Sequence, residues 1–378
     1  MKFSVGQEYS PQNPLIIAEL GTSHNGDIVK AKEMIAAAAE TGADCVKFQI
    51  VIASEILHPK TGLVSLPGGG IKLYERFKEL ELTPDFYAEL KDTAEAMGLL
   101  FLCTPFGLES ARILRDLQPK IVKIASPELN YTALLEEIAQ WKLPVLLSTG
   151  VSRLGDIEDA LELLRKGNLA GENTNLDEKN AQICLLHCIT AYPAPETEYN
   201  LRVLGHLSGI FGIAVGLSDH SMDPELVPVL ALGQGAQVIE KHFCLSRSDS
   251  GLDDPVALPP PLFSSMVQAL RWAQKAGPEQ SLAEIIKLRG EITVNRVLGS
   301  GIKALAPSEK MNYQRTNRSI HALRDIKPGE TINSCDFAAL RTEKELKPGL
   351  KPVYASLLPG RTARKFIPNG QGICFEDI

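Results

Sequence analysis

The chain has 378 residues, of which 44% are hydrophobic and 22% charged, so it can bury a sizeable core and disorder is not expected. Its formal net charge of −7 and the absence of any basic run argue against a nucleic-acid partner. The seven cysteines include no Cys-x-x-Cys pair, and no apolar signal segment opens the chain, so we expect a reduced, cytoplasmic protein. No stretch approaches the roughly 18 apolar residues of a membrane span, so we expect no membrane partner.

Short apolar runs alternate with longer amphipathic stretches up to about residue 276. The runs cover residues 15–20, 43–50, 99–106, 121–126, 144–149, 181–188, 213–219 and 237–244. Continuous apolar runs separated by helical patterns are typical of parallel strands covered on both faces. Eight such units predict an α/β fold with a TIM barrel at residues 1–276. An open, doubly wound sheet is the alternative.

The alternation of strand-like and helical patterns ends after residue 276. Residues 277–314 keep a helical signal at 282–288, which Gly299, Gly301 and Pro307 then interrupt, and we interpret this segment as a linker. From residue 315 to 378, short strand-like runs are punctuated by turns such as Pro328-Gly329. This segment predicts a small, mostly β module.

Polar residues occupy the carboxyl end of every predicted barrel strand. In barrel enzymes this is the end that carries the catalytic groups. Side chains two residues apart on a strand share one face. In chain order the polar residues are Glu19, Lys47 with Gln49, Thr104, Lys123 with Ser126 and Glu128, Ser148, His187 with Thr190 and Tyr192, Ser218 with His220, and Glu240 with Lys241 and His242. The pattern predicts an active site at this edge.

Three of these residues are lysines at positions where an unpaired charge would be costly to bury. They are Lys47, Lys123 and Lys241. One interpretation pairs them with nearby glutamates as structural ion pairs. The other makes them a cationic pocket for a small ligand that bears phosphate and carboxylate groups, completed by neighbouring hydroxyls. The glutamates are Glu19, Glu128 and Glu240, and the hydroxyls belong to Thr104, Ser126, Ser148 and Ser218.

Two histidines, His220 and His242, end the seventh and eighth predicted strands. Neighbouring parallel strands lie about 5 Å apart, so the two imidazoles can share one metal ion. Two protein ligands would leave positions open for water and a substrate oxygen, as Lewis-acid catalysis requires. The alternative is that each histidine is a hydrogen-bonded core residue.

Seven motifs, in order along the chain, resemble those of the sialic acid synthases, which condense phosphoenolpyruvate with an N-acylated mannosamine-type sugar. They are IIAELGTSHNGD at 16–27, GADCVKFQ at 42–49, KIASPELN at 123–130, LSTG at 147–150, HC with YPAP at 187–195, GLSDH at 216–220 and IEKHF at 239–243. The C-terminal module, with Asn317-Arg318-Ser319, resembles the family's antifreeze-like (SAF) domain. That resemblance implies a domain-swapped homodimer in which Arg318 reaches the partner's sugar pocket.

The resemblance also implies a role for each candidate residue. His220 and His242 would hold a divalent metal that polarises the sugar aldehyde; we expect manganese, with magnesium and cobalt as alternatives. Glu19 and Glu128 would be the acid and base groups. Phosphoenolpyruvate would be held by Lys47, Thr104, Lys123, Ser126, Ser148 and Ser218. Sugar contacts would come from Gln49, Tyr192, Asp253 and Arg318.

The chain departs from the family pattern on the expected sugar side. Ser23 stands where asparagine is usual, Pro127 where glycine is usual, and Thr190 where serine or asparagine is commoner; residues 251–254 also differ. The sugar is therefore left open between N-acetylmannosamine and the precursors of legionaminate or pseudaminate. Two other functions stay open as well: another phosphoenolpyruvate-using 3-deoxy-sugar synthase or aldolase, and a catalytically silent carbohydrate-binding homologue.

Overall fold

The computed structural model of the chain describes residues 2–66, 69–167, 182–343 and 345–378, and a parallel eight-stranded sheet forms its centre. The strands are β1 (Phe3–Val5), β2 (Gln7–Tyr9), β3 (Leu15–Gly21), β4 (Cys45–Ile50), β5 (Leu63–Leu66), β6 (Gly69–Lys72), β7 (Leu100–Pro105), β8 (Val122–Ile124), β9 (Val145–Ser148), β10 (Ile183–Cys188), β11 (Ala214–Asp219), β12 (Val238–His242), β13 (Arg318–Ala322) and β14 (Phe337–Arg341). Each predicted apolar run contains one strand of the central sheet; residue 181 lies outside the described residues.

The central sheet curls into a nearly closed barrel, which confirms the TIM-barrel prediction over the open sheet. Its hydrogen-bonded order is β7-β4-β3-β12-β11-β10-β9-β8, and the two end strands, β7 and β8, lie against each other. Every neighbouring pair in this sheet is parallel. All carboxyl ends therefore meet at one mouth, where the predicted polar residues collect.

Helices surround the barrel and flank its mouth. They are α1 (Ile28–Glu40), α2 (Ala53–Ile56), α3 (Leu73–Glu79), α4 (Pro84–Ala96), α5 (Leu108–Asp116), α6 (Thr132–Ala139), α7 (Leu154–Gly167), α8 (Val203–Phe211), α9 (Leu226–Gly233), α10 (Pro260–Arg289) and α11 (Glu291–Leu298). In α1 the Asp27 side chain caps the amino end by accepting hydrogen bonds from the first-turn N–H groups. Ala31, Met34, Ile35 and Ala38 then recur at helical spacing and are buried against the sheet.

Successive side chains along each strand point alternately outward to the helices and inward to the barrel interior. In β3, Ile16 packs in the cluster beneath the helices, whereas Leu15 and Ile17 pack inside the barrel. Nearer the carboxyl ends, the inward positions become polar, as at Glu19 and Lys47. The hairpin of β1 and β2 adds its apolar side chains to the inner cluster, at the end opposite the mouth. The barrel is thus closed and apolar at one end and polar at the other.

The segment between barrel and module is largely helical. α10 has a non-helical residue at Gly277 (φ 81°, ψ 168°), followed by Pro278, so it consists of two helical parts. The second part and α11 lie within the predicted linker, and a short 3₁₀ turn at Pro307–Glu309 follows. Within the described parts of the chain, no helix is both long and apolar enough to cross a bilayer.

The C-terminal module is built around the antiparallel pair β13–β14, extended by isolated bridges such as Ile326 with Ile367. Its own small core includes Ile320 and Ile332. The module packs on the barrel of the same chain. The amide of Asn130, which follows β8, donates to the Arg318 carbonyl (2.9 Å) and accepts from the Arg318 N–H (3.1 Å).

Candidate active site

A cavity of about 320 Å³ opens at the mouth of the barrel. All but two of the predicted site residues line it, and they come from every strand of the central sheet or from the segments that follow those strands. The residues that line it are Glu19, Lys47, Gln49, Thr104, Lys123, Ser126, Ser148, Tyr192, Ser218, His220, His242 and Asp253. The exceptions are Glu128 and Arg318. The cavity therefore lies at the end of the barrel where the sequence pattern placed these residues, and their roles stay predictions.

Lys47 lies between two carboxylates in this cavity. Its Nζ is 3.1 Å from Oε2 of Glu19 and 3.2 Å from Oε1 of Glu240, and all three side chains are buried. Burial alone would lower the pKa of Lys47, but the two carboxylates outweigh burial and hold this pKa above its ordinary value. Lys47 is therefore a permanent cation that compensates two buried acids.

Glu240 connects this pair to a second lysine. Its Oε1 accepts a 3.0 Å hydrogen bond from Ser218 and lies 3.7 Å from Nζ of Lys123. Burial opposes ionisation, yet Lys123 and Lys47 together with the Ser218 hydroxyl lower the pKa of Glu240 to about 2. Lys123 is less well compensated, and its burial lowers the pKa of its ammonium group. An anion bound here would supply the negative charge that Lys123 lacks.

Several polar atoms around the lysines are buried without a hydrogen-bond partner among the described residues. They are Oγ1 of Thr104, Oγ of Ser148, Oγ1 of Thr190 and Oε2 of Glu240. Buried polar groups in native proteins are nearly always satisfied by protein, water or ligand. Because these atoms cluster in one cavity, they mark a place where a polar ligand completes the hydrogen bonding.

The two histidines face each other at the edge of the cavity, with ring centroids 5.3 Å apart. Nδ1 of His220 lies 2.7 Å from the Ile189 carbonyl, which can only accept, so Nδ1 carries the hydrogen and Nε2 is the nitrogen left for a ligand. Metal–nitrogen bonds are about 2 Å long, so rings at this spacing suit one shared ion. In the described parts of the chain, no group of three or more His, Cys, Asp or Glu residues is placed to hold a metal. The structure thus brings the two imidazoles together, and the metal site that the sequence predicted stays a prediction.

The two rings differ in their electrostatics. Burial and the neighbouring His220 lower the pKa of His242 to about 3, so this ring is neutral and available as a ligand at neutral pH. Burial opposes protonation of His220 too, but Cys188, whose Sγ is 3.8 Å from Nδ1, outweighs it and raises the pKa of His220 to about 9. A metal ion would therefore displace a proton from His220.

Three predicted sugar contacts surround the histidines. The Tyr192 ring stacks on His220 with a centroid distance of 4.2 Å. Gln49 donates a 2.6 Å hydrogen bond to Oε1 of Glu19, and Oδ2 of Asp253 lies 3.9 Å from Nδ1 of His242. Burial raises the pKa of Asp253. An aromatic face, an amide and a carboxyl thus stand beside the histidines, where a hydroxylated ligand has both apolar and polar partners.

Glu128 and Arg318 lie outside the cavity lining, in a buried cluster between barrel and module. Nη2 of Arg318 is 2.9 Å from Oε1 of Glu128, and Arg341 contacts both carboxylate oxygens at 2.8 and 3.0 Å. Arg318 also donates to the Phe106 carbonyl (2.6 Å). The acid/base role of Glu128 and the sugar contact of Arg318 therefore stay predictions, and the structure shows these side chains paired with each other. Arg341 is the arginine of the module that lines the cavity.

We expect Arg318→Ala to lower the free energy of unfolding by about 3 kcal/mol, because removing one partner of a buried ion pair leaves the other charge uncompensated. Arg324→Ala is the matched control: Arg324 pairs with Glu330 and Asp336 in the same module, but its side chain is 43% exposed, so solvent screens these pairs and their loss should change stability far less. Urea unfolding of both variants measures the difference. Wild-type stability in Arg318→Ala, with weaker sugar binding, would instead support the sugar-contact role.

The cationic-pocket interpretation is wrong for Lys241, which does not line the cavity. It follows the inward-facing Glu240, so alternation turns it toward the helices, where its Nζ lies 2.5 Å from Oδ2 of Asp219. The two interpretations of the lysines thus hold for different residues. Lys241 is a structural ion pair, whereas Lys47 and Lys123 line the cavity and are paired there as well.

Two further residues at the mouth carried no signal that pointed to the site. Arg341 comes from β14, which no local motif connects to the barrel. Glu309, in the linker, is buried and accepts from the N–H groups of Val151 (2.7 Å) and Thr190 (2.8 Å). It therefore ties the linker to the loops that follow β9 and β10.

Comparison with known proteins agrees with this geometry. Residues 34–281 match the family model described as the NeuB family, and residues 317–378 match the model described as the SAF domain. The chain is similar to an N,N'-diacetyllegionaminic acid synthase of Campylobacter jejuni, at 35% identity over 86% of this chain and 90% of that protein. It is also similar to a pseudaminic acid synthase of Helicobacter pylori, at 30% identity over 97% of this chain and 98% of that protein.

Among solved structures, the spore coat polysaccharide biosynthesis protein SpsE of Bacillus subtilis is similar over the whole length. The TM-score is 0.81 at 30% identity, and the match covers 100% of this chain and 99% of that chain. The barrel and the C-terminal module therefore occur together in a related protein.

Proposed function

The chain belongs to the NeuB family, and on that premise we propose that it condenses phosphoenolpyruvate with an N-acylated mannosamine-like sugar to give a nonulosonic acid and phosphate. One observation carries the proposal: a single cavity holds two buried lysines with unsatisfied hydroxyls on one side and two facing histidines on the other. An anionic enol and a carbonyl compound are the two partners that such a divided cavity fits.

Phosphoenolpyruvate would bind on the lysine side. Lys123 lacks full compensation, and the hydroxyls of Thr104 and Ser148 lack hydrogen-bond partners among the described residues, so phosphate and carboxylate oxygens would satisfy all three. Ser126 and Ser218 line the same side. Lys47 would help to hold Glu240 ionised next to the anionic substrate, because its Nζ lies 3.2 Å from that carboxylate.

The sugar aldehyde would lie beside His220 and His242, which would hold a divalent ion, with manganese as the ion we expect. When bound, that ion would supply Lewis-acid stabilisation of the charge that develops on the aldehyde oxygen. Tyr192 would offer its ring face to the sugar, while Gln49 and Asp253 would take hydroxyl or amide groups. Placing both substrates in one water-poor cavity contributes to the rate by orientation.

The bond changes follow from this placement. C3 of phosphoenolpyruvate attacks the aldehyde carbon, which leaves cationic character at C2. A water molecule adds to C2, and one of its protons passes to the carboxylate of Glu19, whose Oε2 lies 3.1 Å from Nζ of Lys47. Glu19 then passes this proton to the alkoxide that formed on the aldehyde oxygen. The bond between C2 and the bridging oxygen breaks, phosphate leaves with that oxygen, and the C2 hydroxyl gives its proton to the phosphate as C2 becomes a ketone carbonyl.

The experiment that tests the proposal is a phosphate-release assay with phosphoenolpyruvate, Mn²⁺ and a panel of N-acylated hexosamines that includes N-acetylmannosamine and 2,4-diacetamido sugars. We expect phosphate release that depends on both substrates, and ¹⁸O placed in the bridging position should appear in the phosphate. Retention of the label in the sugar acid would contradict C–O cleavage. No release with any sugar would favour the silent carbohydrate-binding homologue.

The proposed reaction does not depend on two further expectations from the sequence, the homodimer and the cytoplasmic location. The domain-swapped homodimer is implied by the family resemblance, whereas here the module contacts the barrel of its own chain. A cytoplasmic location is suggested by the cysteines, all seven of which are free thiols. Both stay predictions.

A further inference from the structure

Asp219 and Lys241 lie opposite each other in the register of β11 and β12, each one residue before a candidate metal ligand. Both are fully buried on the outer face of the barrel, while the next residues, His220 and His242, turn toward the mouth. Nζ of Lys241 contacts Oδ2 of Asp219 at 2.5 Å and the Ser221 carbonyl at 2.7 Å. The ion pair therefore joins the ends of the two strands that carry the histidines.

His220 needs such support because it lies just beyond its strand. β11 ends at Asp219, and Asp219 with Lys241 is the last pair in the register of these two strands, so His220 lies past the ladder. Its N–H instead donates a 2.8 Å hydrogen bond to the Tyr199 hydroxyl oxygen. That hydroxyl donates to Oδ1 of Asp219 at 2.6 Å. One chain of contacts thus runs from Lys241 through Asp219 and Tyr199 to the His220 backbone.

The contacts of Asp219 leave it little freedom. Oδ1 also accepts from the Ser221 N–H at 2.8 Å, so the side chain of the residue before His220 is hydrogen-bonded to the backbone of the residue after it. On the other strand, His242 is the last residue of β12 and pairs with Glu19 of β3, which fixes its backbone through the sheet. The backbone position of His220 relative to His242 accordingly depends on Asp219, Tyr199 and Lys241.

We propose that Asp219, Lys241 and Tyr199 are positioning residues that set the spacing of His220 and His242 and thereby the affinity of this pair for a divalent metal. The inference rests on the proposed metal site, and it assigns these residues no contact with metal or substrate. Groups behind the direct ligands fix the orientation of those ligands, and their loss typically weakens metal affinity by about 10- to 100-fold.

The test is calorimetric titration of Mn²⁺ into metal-free protein, which needs no turnover. Tyr199→Phe removes one hydroxyl and keeps both the aromatic ring and the ion pair, and Asp219→Asn removes the charge that faces Lys241. We expect the Mn²⁺ dissociation constant to rise about 10-fold in Tyr199→Phe and about 100-fold in Asp219→Asn. At saturating Mn²⁺, KM for phosphoenolpyruvate should stay near the wild-type value, because the lysine side of the cavity is unchanged.

Asp44→Asn is the matched control. Asp44 also joins an ion pair, with Arg271 (2.7 Å), and accepts a backbone N–H, from Ile16 (2.8 Å), but it precedes β4 at the opposite end of the barrel. It should lose thermal stability without losing Mn²⁺ affinity. Equal Mn²⁺ affinity in wild type and Tyr199→Phe would overturn the inference, as would an equal loss in Asp44→Asn. Absence of Mn²⁺ binding to wild type would instead reject the metal site itself. If Asp219→Asn fails to fold, Tyr199→Phe decides alone.

Discussion

Removing divalent ions with a chelator should abolish phosphate release, and added Mn²⁺ should restore it. The reason is the donor set: Nε2 of His220 is left for a ligand, and the ring of His242 is neutral at neutral pH because burial lowers its pKa to about 3. Without the ion, the charge that develops on the aldehyde oxygen would lose its Lewis-acid partner at that edge. The measurement is initial rate against free Mn²⁺, with Mg²⁺ and Co²⁺ in parallel titrations.

Two variants make this result specific. His242→Ala should bind Mn²⁺ poorly and should not recover activity when the ion is added back. His206→Ala is the control, since His206 is exposed, holds the Gly301 carbonyl and lies outside the cavity lining. It should recover like wild type. Full activity of wild type in excess chelator would refute the metal role for both histidines.

The sequence could predict the barrel and the mouth because both depend on local pattern. Apolar runs of strand length separated by helical periodicity are enough to indicate parallel strands, and the carboxyl ends of parallel strands meet at one edge. Glu19, Lys47, Ser218 and His242 all lie in the carboxyl-terminal half of an apolar run, so their place at the mouth follows from position alone. No knowledge of distant contacts is needed for that step.

The error over Lys241 shows what strand ends alone leave out. The position of a residue at a strand end does not tell which side of the sheet its side chain points to, whereas the alternation of successive side chains does. Neighbouring residues on a strand point to opposite sides, so Lys241 and His242 cannot both face the mouth. Once His242 is assigned inward, Glu240 goes inward with it and Lys241 goes outward, as observed. Consistent use of the two-residue period would have put Glu240 in the site.

The remaining surprises are contacts between distant parts of the chain, on which local pattern has nothing to say. Glu128 and Arg341 are 213 residues apart, and Glu309 meets Thr190 across 119 residues. Such pairs form only once the module and the linker pack on the barrel. Glu128 follows its strand as a catalytic acid would, so its burial against two arginines is visible only in three dimensions.

Replacing Lys47 by methionine should lower kcat/KM for phosphoenolpyruvate by about a thousandfold. Lys47 compensates both Glu19 and Glu240 at 3.1 and 3.2 Å, so its loss leaves two buried carboxylates facing an anionic substrate. Loss of one member of a buried charge pair costs about 2–5 kcal/mol, and about 1.4 kcal/mol corresponds to a tenfold change in rate. Steady-state kinetics with phosphoenolpyruvate as the varied substrate measures the loss.

The double variant Lys47→Met with Glu240→Gln separates folding from binding. Removing one carboxylate along with the lysine restores the charge balance, so thermal stability should return toward wild type. Activity should not return, because the double variant still lacks the Lys47 cation and also lacks the carboxylate that Lys123 and Ser218 contact. If kcat/KM recovered together with stability, Lys47 would be a structural counter-ion only, and substrate recognition would then fall to Lys123 and the unsatisfied hydroxyls around it.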